Sequence, residues 1–374
     1  MGLAMKLVVN RDLFARALSR IQGVLSRKAT LPVLSNVLLE ADSDGKLRVA
    51  ATDLDVTYDG YLSCRGVEAG RVTVDGKRLY EIVRRLPGEE VDIEVGEEAR
   101  VTLRCKNAEF VLLGTKADSY PPLPDSHGVN LIPIDGVVFR ELIERTMTST
   151  STDESRPNLN GVYFHCLENN IVRMVSTDGH RLSRGERAVD RDSVIPERDG
   201  VIIPRKGVAE VKRLLEEAGR EVSFGFLDNN LVVAAANMCL FVRLIDAAFP
   251  DYRQVIPKSS ERSVVLDRVP FLDSLKRIGL LASERTHGVR IELTDGLMTL
   301  ISDNPDLGKA REEMEIEYNG GDLIIAFNAK YVIEIMSILN APKIEMALNE
   351  ALSPGLFREY ENDDYLFVVM PMRL

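Results

Sequence analysis

The sequence is poor in the residues from which disulfide frameworks and metal centres are built. It has only four cysteines and four histidines in 374 residues. The cysteines are scattered and form no Cys-x-x-Cys pair, which is typical of free thiols in a reducing compartment. No histidine has the neighbours expected of a metal ligand, so we expect neither a metal nor a cofactor. The cysteines are Cys64, Cys105, Cys166 and Cys239, and the histidines are His127, His165, His180 and His287.

The sequence also lacks the short motifs of nucleotide-binding and metal-hydrolase sites. It contains no Gly-x-x-x-x-Gly-Lys-Ser/Thr loop, no Gly-x-Gly-x-x-Gly after a strand and no His-Glu-x-x-His. The longest apolar run, residues 231–242, is interrupted by Asn237 and is too short to span a membrane. No basic-then-apolar signal sequence opens the chain. We therefore expect a cytoplasmic protein that is not an enzyme.

What the sequence does contain is one pattern repeated three times. Each copy has an apolar run, a turn, a second apolar run and an acidic turn, and the acidic turns fall at Asp53, Asp178 and Asp303, 125 residues apart. A repeat of that length is a whole domain. Two proline-rich joints, residues 120–124 and 249–252, indicate linkers. The predicted domains are residues 1–128, 129–256 and 257–374.

Periodicity gives each repeat two helices and many strands. Apolar residues at i, i+3, i+4 and i+7, as in residues 79–86, predict helices. Alternating runs such as residues 91–95 predict strands. Each repeat is therefore expected to be an α+β domain with two helices packed on antiparallel sheets. The predicted helices cover residues 11–28, 76–86, 135–147, 203–213, 267–277 and 328–339.

Charge is distributed unevenly between the helices and the rest of the chain. The formal charge of −11 argues against nucleic acid as a partner. The six predicted helices nevertheless carry +10 and the remaining residues −21. A solvated face would explain one basic helix, but cations seven residues apart, on one face of equivalent helices, suit a phosphate backbone. These pairs are Lys77/Arg84, Arg78/Arg85, Arg205/Lys212 and Lys206/Arg213.

Several stretches follow one another in order over essentially the whole chain. They are Thr30-Leu31-Pro32-Val33-Leu34-Ser35-Asn36, Ala51-Thr52-Asp53-Leu54, Leu159-Asn160-Gly161, Thr177-Asp178-Gly179-His180-Arg181-Leu182, Pro204-Arg205-Lys206-Gly207, Phe249-Pro250-Asp251-Tyr252-Arg253 and residues 365–374. These stretches resemble the bacterial sliding clamps, the beta subunits of DNA polymerase III. The resemblance implies three clamp-type domains in each chain and a head-to-tail, ring-forming homodimer. It further implies that the ring encircles double-stranded DNA without regard to sequence and tethers the replicative polymerase and other factors for processive synthesis.

The resemblance also implies which residues line the DNA and which bind partner proteins. The clamp loader, the polymerase and other clamp-binding proteins insert a short peptide with a glutamine and apolar anchors. An apolar, methionine-containing cleft suits such anchors. Gln254 stands where some relatives have arginine, so peptide preferences are expected to differ. The DNA-binding residues are Lys28, Arg78, Arg156, Arg205 and Lys206. The peptide-pocket residues are Leu159, Thr177, Gly179, His180, Arg181, Leu182, Pro250, Val255, Leu352, Pro354, Val368, Met370 and Met372.

Two readings stay open from the residues alone. Residues 368–372 also have the pattern of the last strand of a core. Residues 109–113 fit an internal strand as well as a hydrophobic edge strand that would associate with another subunit. The resemblance places the dimer interface at Phe110 and Leu112 of one subunit and Leu280 and Leu281 of the other.

Two other functions are compatible with the pattern of residues. One is a ring-like protein-interaction scaffold that binds no DNA, and unchanged DNA retention after charge reversal at Arg205 and Lys206 would favour it. The other is an unrecognised hydrolase built on Asp178-Gly179-His180, which would show turnover that depends on Asp178 or His180. A turn aspartate beside a surface histidine is the simpler interpretation, because the turns at Asp53 and Asp303 have no histidine.

Overall fold

The computed structural model describes residues 5–25, 31–189 and 198–373. The predicted DNA-binding residue Lys28 lies outside the described residues. Within these ranges all six predicted helices are present, although the first is shorter than predicted and the fourth is longer. The helices are α1 Arg11–Arg20, α2 Gly76–Val83, α3 Gly136–Thr146, α4 Arg205–Ala218, α5 Arg268–Gly279 and α6 Ala329–Ile338.

The remaining regular structure is antiparallel sheet. The strands of the first half are β1 Met5–Asn10, β2 Asn36–Ala41, β3 Lys46–Thr52, β4 Val56–Glu68, β5 Gly70–Asp75, β6 Glu90–Val95, β7 Arg100–Cys105, β8 Ala108–Leu113, β9 Ile132–Asp135, β10 Gly161–Leu167, β11 Ile171–Thr177 and β12 Arg181–Ala188. Those of the second half are β13 Arg198–Pro204, β14 Glu221–Leu227, β15 Asn230–Ala235, β16 Met238–Arg243, β17 Arg262–Asp267, β18 Gly288–Thr294, β19 Leu297–Asn304, β20 Gly308–Glu315, β21 Leu323–Asn328, β22 Lys343–Leu348, β23 Gly355–Glu359 and β24 Tyr365–Val369.

In three of the helices, which directly follow a strand, a short polar side chain caps the first turn. The Asn10 side chain accepts hydrogen bonds from the amides of Asp12 and Leu13 at the start of α1. Asp75 does the same at the start of α2 and Asn328 at the start of α6. Such N-caps satisfy amides that have no partner within the helix. The strand-to-helix junctions of the repeat are therefore encoded locally.

Contacts divide the chain into two compact units. The first lies within Met1–Val137 and Lys206–Leu244, and the second within Val138–Arg205 and Ile245–Leu374. None of the helices that the structure describes is long and apolar enough to cross a membrane.

The first unit is organised around one sheet of twelve strands. Its main path is β8-β7-β6-β1-β4-β16-β15-β14-β9, and β2, β3 and β5 branch from β4. The long strand β4 makes this possible, because one edge pairs with β3 and the other with β16 and then β1. Phe14, Leu18, Leu79 and Val83 of α1 and α2 are fully buried, so the apolar stripes of both helices form the core.

The second unit contains two sheets. Eight strands follow the order β13-β10-β11-β12-β24-β23-β22-β17, and four follow β20-β19-β18-β21. The apolar faces of α5 and α6 are buried through Phe271, Leu275, Val332 and Met336. The α+β class and the antiparallel sheets predicted from periodicity are confirmed.

Candidate partner pocket, basic helices and free sheet edges

The turn between β11 and β12 is built around the Asp178 carboxylate. Its Oδ1 accepts hydrogen bonds from the amides of His180 and Arg181 at 2.9 and 3.0 Å. Gly179 occupies the left-handed region with φ 91°, where glycine is favoured. His180 is exposed. No group of three described histidine, cysteine, aspartate or glutamate side chains could hold a metal. This arrangement is a structural turn.

The corresponding turns explain the repeated acidic residue and correct its third position. Oδ1 of Asp53 accepts the amide of Val56 at 2.7 Å, as Asp178 does three residues ahead. In the third repeat Asn304, rather than Asp303, accepts an amide two residues ahead, that of Asp306, at 3.0 Å. The prediction of Asp303 as the third equivalent residue was therefore wrong by one position. An amide oxygen serves this turn as well as a carboxylate does.

Arg181 fixes one wall of a cavity that follows this turn. Its guanidinium bonds Oδ2 of Asp178 at 3.1 Å, the carbonyl of Thr148 at 2.7 Å and the carboxylate of Glu334. It also lies 4.3 Å from the ring centre of Tyr331. A guanidinium with so many partners positions the wall rather than binding a ligand.

The cavity has a volume of about 260 Å³ and lies within the second unit. Nine of the thirteen residues predicted for the peptide pocket line it. They are Leu159, Thr177, Gly179, Arg181, Leu182, Pro250, Val255, Val368 and Met370. Val368 is also 1% exposed and belongs to a buried apolar cluster, so this strand contributes both to a core and to the lining of the cavity.

The other four predicted pocket residues do not line this cavity. His180 contributes its carbonyl, which accepts the amide of Met370 at 2.9 Å. Met372 donates its own amide to the carbonyl of Ala326 at 2.8 Å, which places it against β21. Leu352 is exposed and Pro354 is half-buried.

Three residues that the sequence did not predict also line the cavity: Asn158, Asp251 and Tyr252. Residues 249–252 were interpreted as a linker, but Tyr252 is buried and begins a short 3-10 turn capped by Asp251. The Tyr252 hydroxyl accepts a hydrogen bond from Arg173 at 3.0 Å, and Phe249 stacks on Tyr163 with ring centres 4.8 Å apart. Two aromatic residues beside a proline were the signal for a packed segment.

The cations of α2 differ in whether they have acidic partners. Lys77 and Arg78 are exposed, and neither forms an ion pair with another residue in the described ranges. Arg84 and Arg85 both pair with Glu81. On α2, therefore, the two cations of the first turn have no acidic partner among the described residues, whereas the two at its end do.

The same division holds at the start of α4. Arg205 is exposed. Lys206 bonds the carboxylate of Asp53, and Arg213 pairs with Glu210 at 2.9 Å. Burial raises the pKa of Glu210 even though Arg213 and Lys206 act to lower it. Lys206 and Arg213 thus each have an acidic partner, which the spacing of the cations in the sequence did not reveal.

Arg156 lies beside the pocket. Its Nε bonds Oδ2 of Asp153 at 2.8 Å, and its guanidinium lies 3.7 Å from where a Cβ on Gly179 would stand. The Ser155 hydroxyl and amide, followed by Arg156, hold the pKa of Asp153 below its ordinary value. Arg156 is exposed and remains accessible to a ligand.

Strand β8 forms one end of the sheet of the first unit. It pairs only with β7 among the described strands, which decides between the two open readings in favour of an edge strand. Phe110, Val111 and Leu113 are 40%, 54% and 79% exposed, and Leu112 is half-buried. The sequence prediction included Phe110 and Leu112 but missed the two most exposed residues.

The predicted partner residues lie at the end of α5. Leu280 follows the last residue of the helix and is 78% exposed, whereas Leu281 is half-buried. Strand β20 ends the four-stranded sheet of the same unit. Strand β20 pairs with β19. Just after β20, an isolated bridge joins Glu317 to Val265.

Sequence comparisons place nearly the whole chain in one family. Three family models of the DNA polymerase III beta subunit match in order: the N-terminal domain at residues 5–124, the central domain at 133–251 and the C-terminal domain at 253–373. The chain is 33% identical to the beta sliding clamp of Pseudomonas aeruginosa over 374 residues, which are 99% of this chain and 100% of that protein. It is also 33% identical to the beta sliding clamp of Caulobacter vibrioides over 376 residues, with the same coverage.

Solved structures agree. A crystal structure of the Pseudomonas aeruginosa sliding clamp bound to griselimycin has a TM-score of 0.93 to this chain at 32% identity. A sliding clamp structure from Bacillus subtilis has a TM-score of 0.93 at 27% identity. Each comparison covers 99% of this chain and 100% of the other.

Proposed function

Because this chain belongs to the DNA polymerase III beta subunit family and is a DNA sliding clamp, we propose that it works as a homodimeric ring around duplex DNA. In this proposal it has no catalytic step of its own and acts in the cytoplasm. The family-model matches support three domains close to residues 1–128, 129–256 and 257–374. The proposal of a ring depends on one observation, which is that the same kind of strand pairing joins one domain to the next twice within the chain.

Each predicted domain offers two complementary edges. The fourth strand of the first domain, β4, pairs with the last strand of the second, β16. The fourth strand of the second domain, β12, pairs in the same antiparallel way with the last strand of the third, β24. The fourth strand of the third domain, β20, and the last strand of the first, β8, are left over. A head-to-tail second copy would pair both, and two such contacts close a ring.

The register of the two joints within the chain is the same. Tyr58 of β4 lies opposite Leu240, the third residue of β16. Ser183 of β12 lies opposite Phe367, the third residue of β24. The third joint is therefore expected to align the third residue of β8, Phe110, with the equivalent residue of β20.

That residue is Ala310. Tyr58 and Ser183 each pair, within their own hairpin, with a residue of the preceding strand. That partner lies two positions before the aspartate of the turn. Ala310 lies across its hairpin from Ser302, two residues before the turn residue Asn304. Phe110 of one copy then faces Ala310 of the other. In an antiparallel pair the next residues along are Glu109 and Arg311, which have opposite charges and favour association.

Disulfide trapping tests this register. Glu109→Cys combined with Arg311→Cys should give a covalent dimer on mild oxidation, because directly opposite Cβ atoms lie about 5 Å apart. The matched control combines Phe110→Cys with Arg311→Cys, whose side chains point to opposite faces. Oxidised wild-type protein controls for the four native cysteines. Failure of the first pair to cross-link, or equal cross-linking of the control, would refute the proposed interface.

The exposed cations support DNA passage through this ring. Arg78 and Arg205 lie in the first turns of α2 and α4, and Lys206 and Arg156 are exposed despite having acidic partners. Contacts of this kind bind phosphate without reading sequence. We retain Lys28 in the proposed set because of its position in the sequence alone.

The apolar cavity beside Tyr252 is the proposed docking site for the clamp loader, the polymerase and other clamp-binding proteins. Its volume of about 260 Å³ suits a few apolar side chains of a peptide. His180, Leu352, Pro354 and Met372 remain proposed contacts outside the cavity itself. Leu280 and Leu281 remain proposed contacts of the dimer.

A further inference from the structure

A pair of arginines shares a single carboxylate beside the pocket. Arg173 of β11 donates from Nε to Oε1 of Glu186 at 2.6 Å. Arg184 of β12 places its own Nε 3.2 Å from the same oxygen. Both arginine side chains are 21% exposed. The Glu186 carboxylate is therefore shared by two guanidinium groups at a site that is still open to solvent.

Arg184 is the less firmly held of the two. Its Nε is buried without a well-aligned hydrogen bond, and its remaining contact is with the carbonyl of Asp363 at 3.4 Å. The Asp363 carboxylate itself pairs with Arg358. Burial, followed by the repulsion from Arg173, lowers the pKa of Arg184 against the pull of Glu186. An additional acceptor here would satisfy a guanidinium that its own chain satisfies poorly.

This arginine pair adjoins the cavity directly. Tyr252 lines the cavity, and its hydroxyl accepts a hydrogen bond from Arg173 at 3.0 Å. Leu182 also lines the cavity and precedes Arg184 by two residues on the same face of β12. Residues two apart on a strand are separated by roughly 7 Å. A peptide anchored in the cavity therefore needs only one or two further residues to reach Arg184.

We propose that Arg184 recognises an acidic side chain in the partner peptide, next to the apolar residues that enter the cavity. The proposal rests on the peptide-docking function proposed above and names a chemical preference of that site. A carboxylate would supply the hydrogen-bond acceptors that the Arg184 guanidinium lacks, since a guanidinium binds a carboxylate through two parallel hydrogen bonds. Arg184 would thus be a specificity residue, whereas the cavity supplies affinity.

Two labelled peptides test this preference on the intact protein. Both carry the glutamine and apolar anchors of clamp-binding segments. One is flanked on each side by glutamates and the other by glutamines. Fluorescence anisotropy is measured with wild type, Arg184→Gln, Arg184→Lys and Arg253→Gln. Arg253 is a matched control because it follows the cavity residue Tyr252 but is 74% exposed.

For wild type we expect the glutamate-flanked peptide to bind about five- to tenfold more tightly, the scale of one partly exposed charged hydrogen bond. Arg184→Gln should abolish that ratio and leave the glutamine-flanked peptide unaffected, whereas Arg184→Lys should keep part of the ratio and Arg253→Gln nearly all of it. Comparing two peptides on one variant removes any effect of partial unfolding.

Equal affinities on wild type, or an unchanged ratio in Arg184→Gln, would overturn the role of Arg184 and leave peptide docking intact. An equal loss of the ratio in Arg253→Gln would also overturn it, by showing general electrostatic attraction. Binding of neither peptide to wild type would overturn peptide docking at the cavity and this inference with it.

Discussion

At the scale of single residues, cations that look alike in the sequence have different roles. Arg205 and Lys206 are neighbours, yet Lys206 bonds a carboxylate that is mostly buried, whereas Arg205 is exposed. Asp53 is 11% exposed and also holds its turn through Oδ1. Charge counting identified the basic helices but could not separate these roles, because the acidic partner of Lys206 lies 153 residues away.

Neutralising these two residues should therefore have different effects on stability. Lys206→Gln should lower the free energy of unfolding by about 1–2 kcal/mol, because Asp53 loses its charged partner. Arg205→Gln should change it by less than about 0.5 kcal/mol. Urea unfolding of both variants measures this difference, and equal losses would show that the Lys206 pair contributes nothing specific.

A second ion pair predicts how stability depends on pH. Glu359 and Arg145 are both buried and their side chains lie 2.9 Å apart. Burial acts to raise the pKa of Glu359, but the amides of Asn340 and Ala341 together with Arg145 outweigh it and hold the pKa below 4.5. A carboxylate with a depressed folded-state pKa stabilises the protein above its unfolded-state value and loses that contribution as the pH falls through the lower one.

Glu359→Gln should accordingly destabilise the protein by about 2 kcal/mol at neutral pH. The difference from wild type should shrink as the pH falls below about 4.5, since wild-type Glu359 then becomes protonated as well. Urea unfolding across this range checks the sign. A difference that stays constant down to acid pH would mean that the charge of Glu359 is not what stabilises the pair.

At the scale of elements, the helices could be predicted from local patterns of residues, whereas the packing of the joints between domains could not. Helix positions followed from the spacing of apolar residues. In the structure, capping residues such as Asn10 and Asp75 fix where α1 and α2 begin. The proline-rich joints lie at the ends of the family-model matches, but the sequence did not reveal that their aromatic residues pack on distant partners. Tyr120 is buried and its hydroxyl donates to the carbonyl of Asn36, and Tyr252 forms part of the pocket.

The candidate site shows the same limit. Nine of the residues that the resemblance predicted for the pocket line the cavity, and eight of them belong to the recognisable stretches at 159–161, 177–182, 249–253 and 365–374. Tyr252 lies in such a stretch too, but its orientation depends on its contact with Arg173 of β11. The edge position of β8 also could not be read from periodicity, since an edge strand and an internal strand share the same alternation.

At the scale of the whole molecule, repetition is the organising fact. Two joints of one register occur within the chain, and β8 and β20, the strands that would make the third, each have one edge without a partner strand among the described residues. A chain with one free edge of each kind extends as a filament or closes as a ring. Membership of the sliding clamp family favours the ring, in which affinity for DNA comes mainly from encirclement and only weakly from phosphate contacts.

Encirclement is the central claim, and one measurement addresses it directly. The protein is loaded onto nicked circular DNA with its clamp loader and washed at high salt, which removes ordinary phosphate contacts. Half of the sample is then linearised. A sliding ring should stay on circles and leave linear DNA through the ends. Equal salt-resistant retention on both forms would contradict encirclement, and no retention on either with a competent loader would favour a scaffold that binds only proteins.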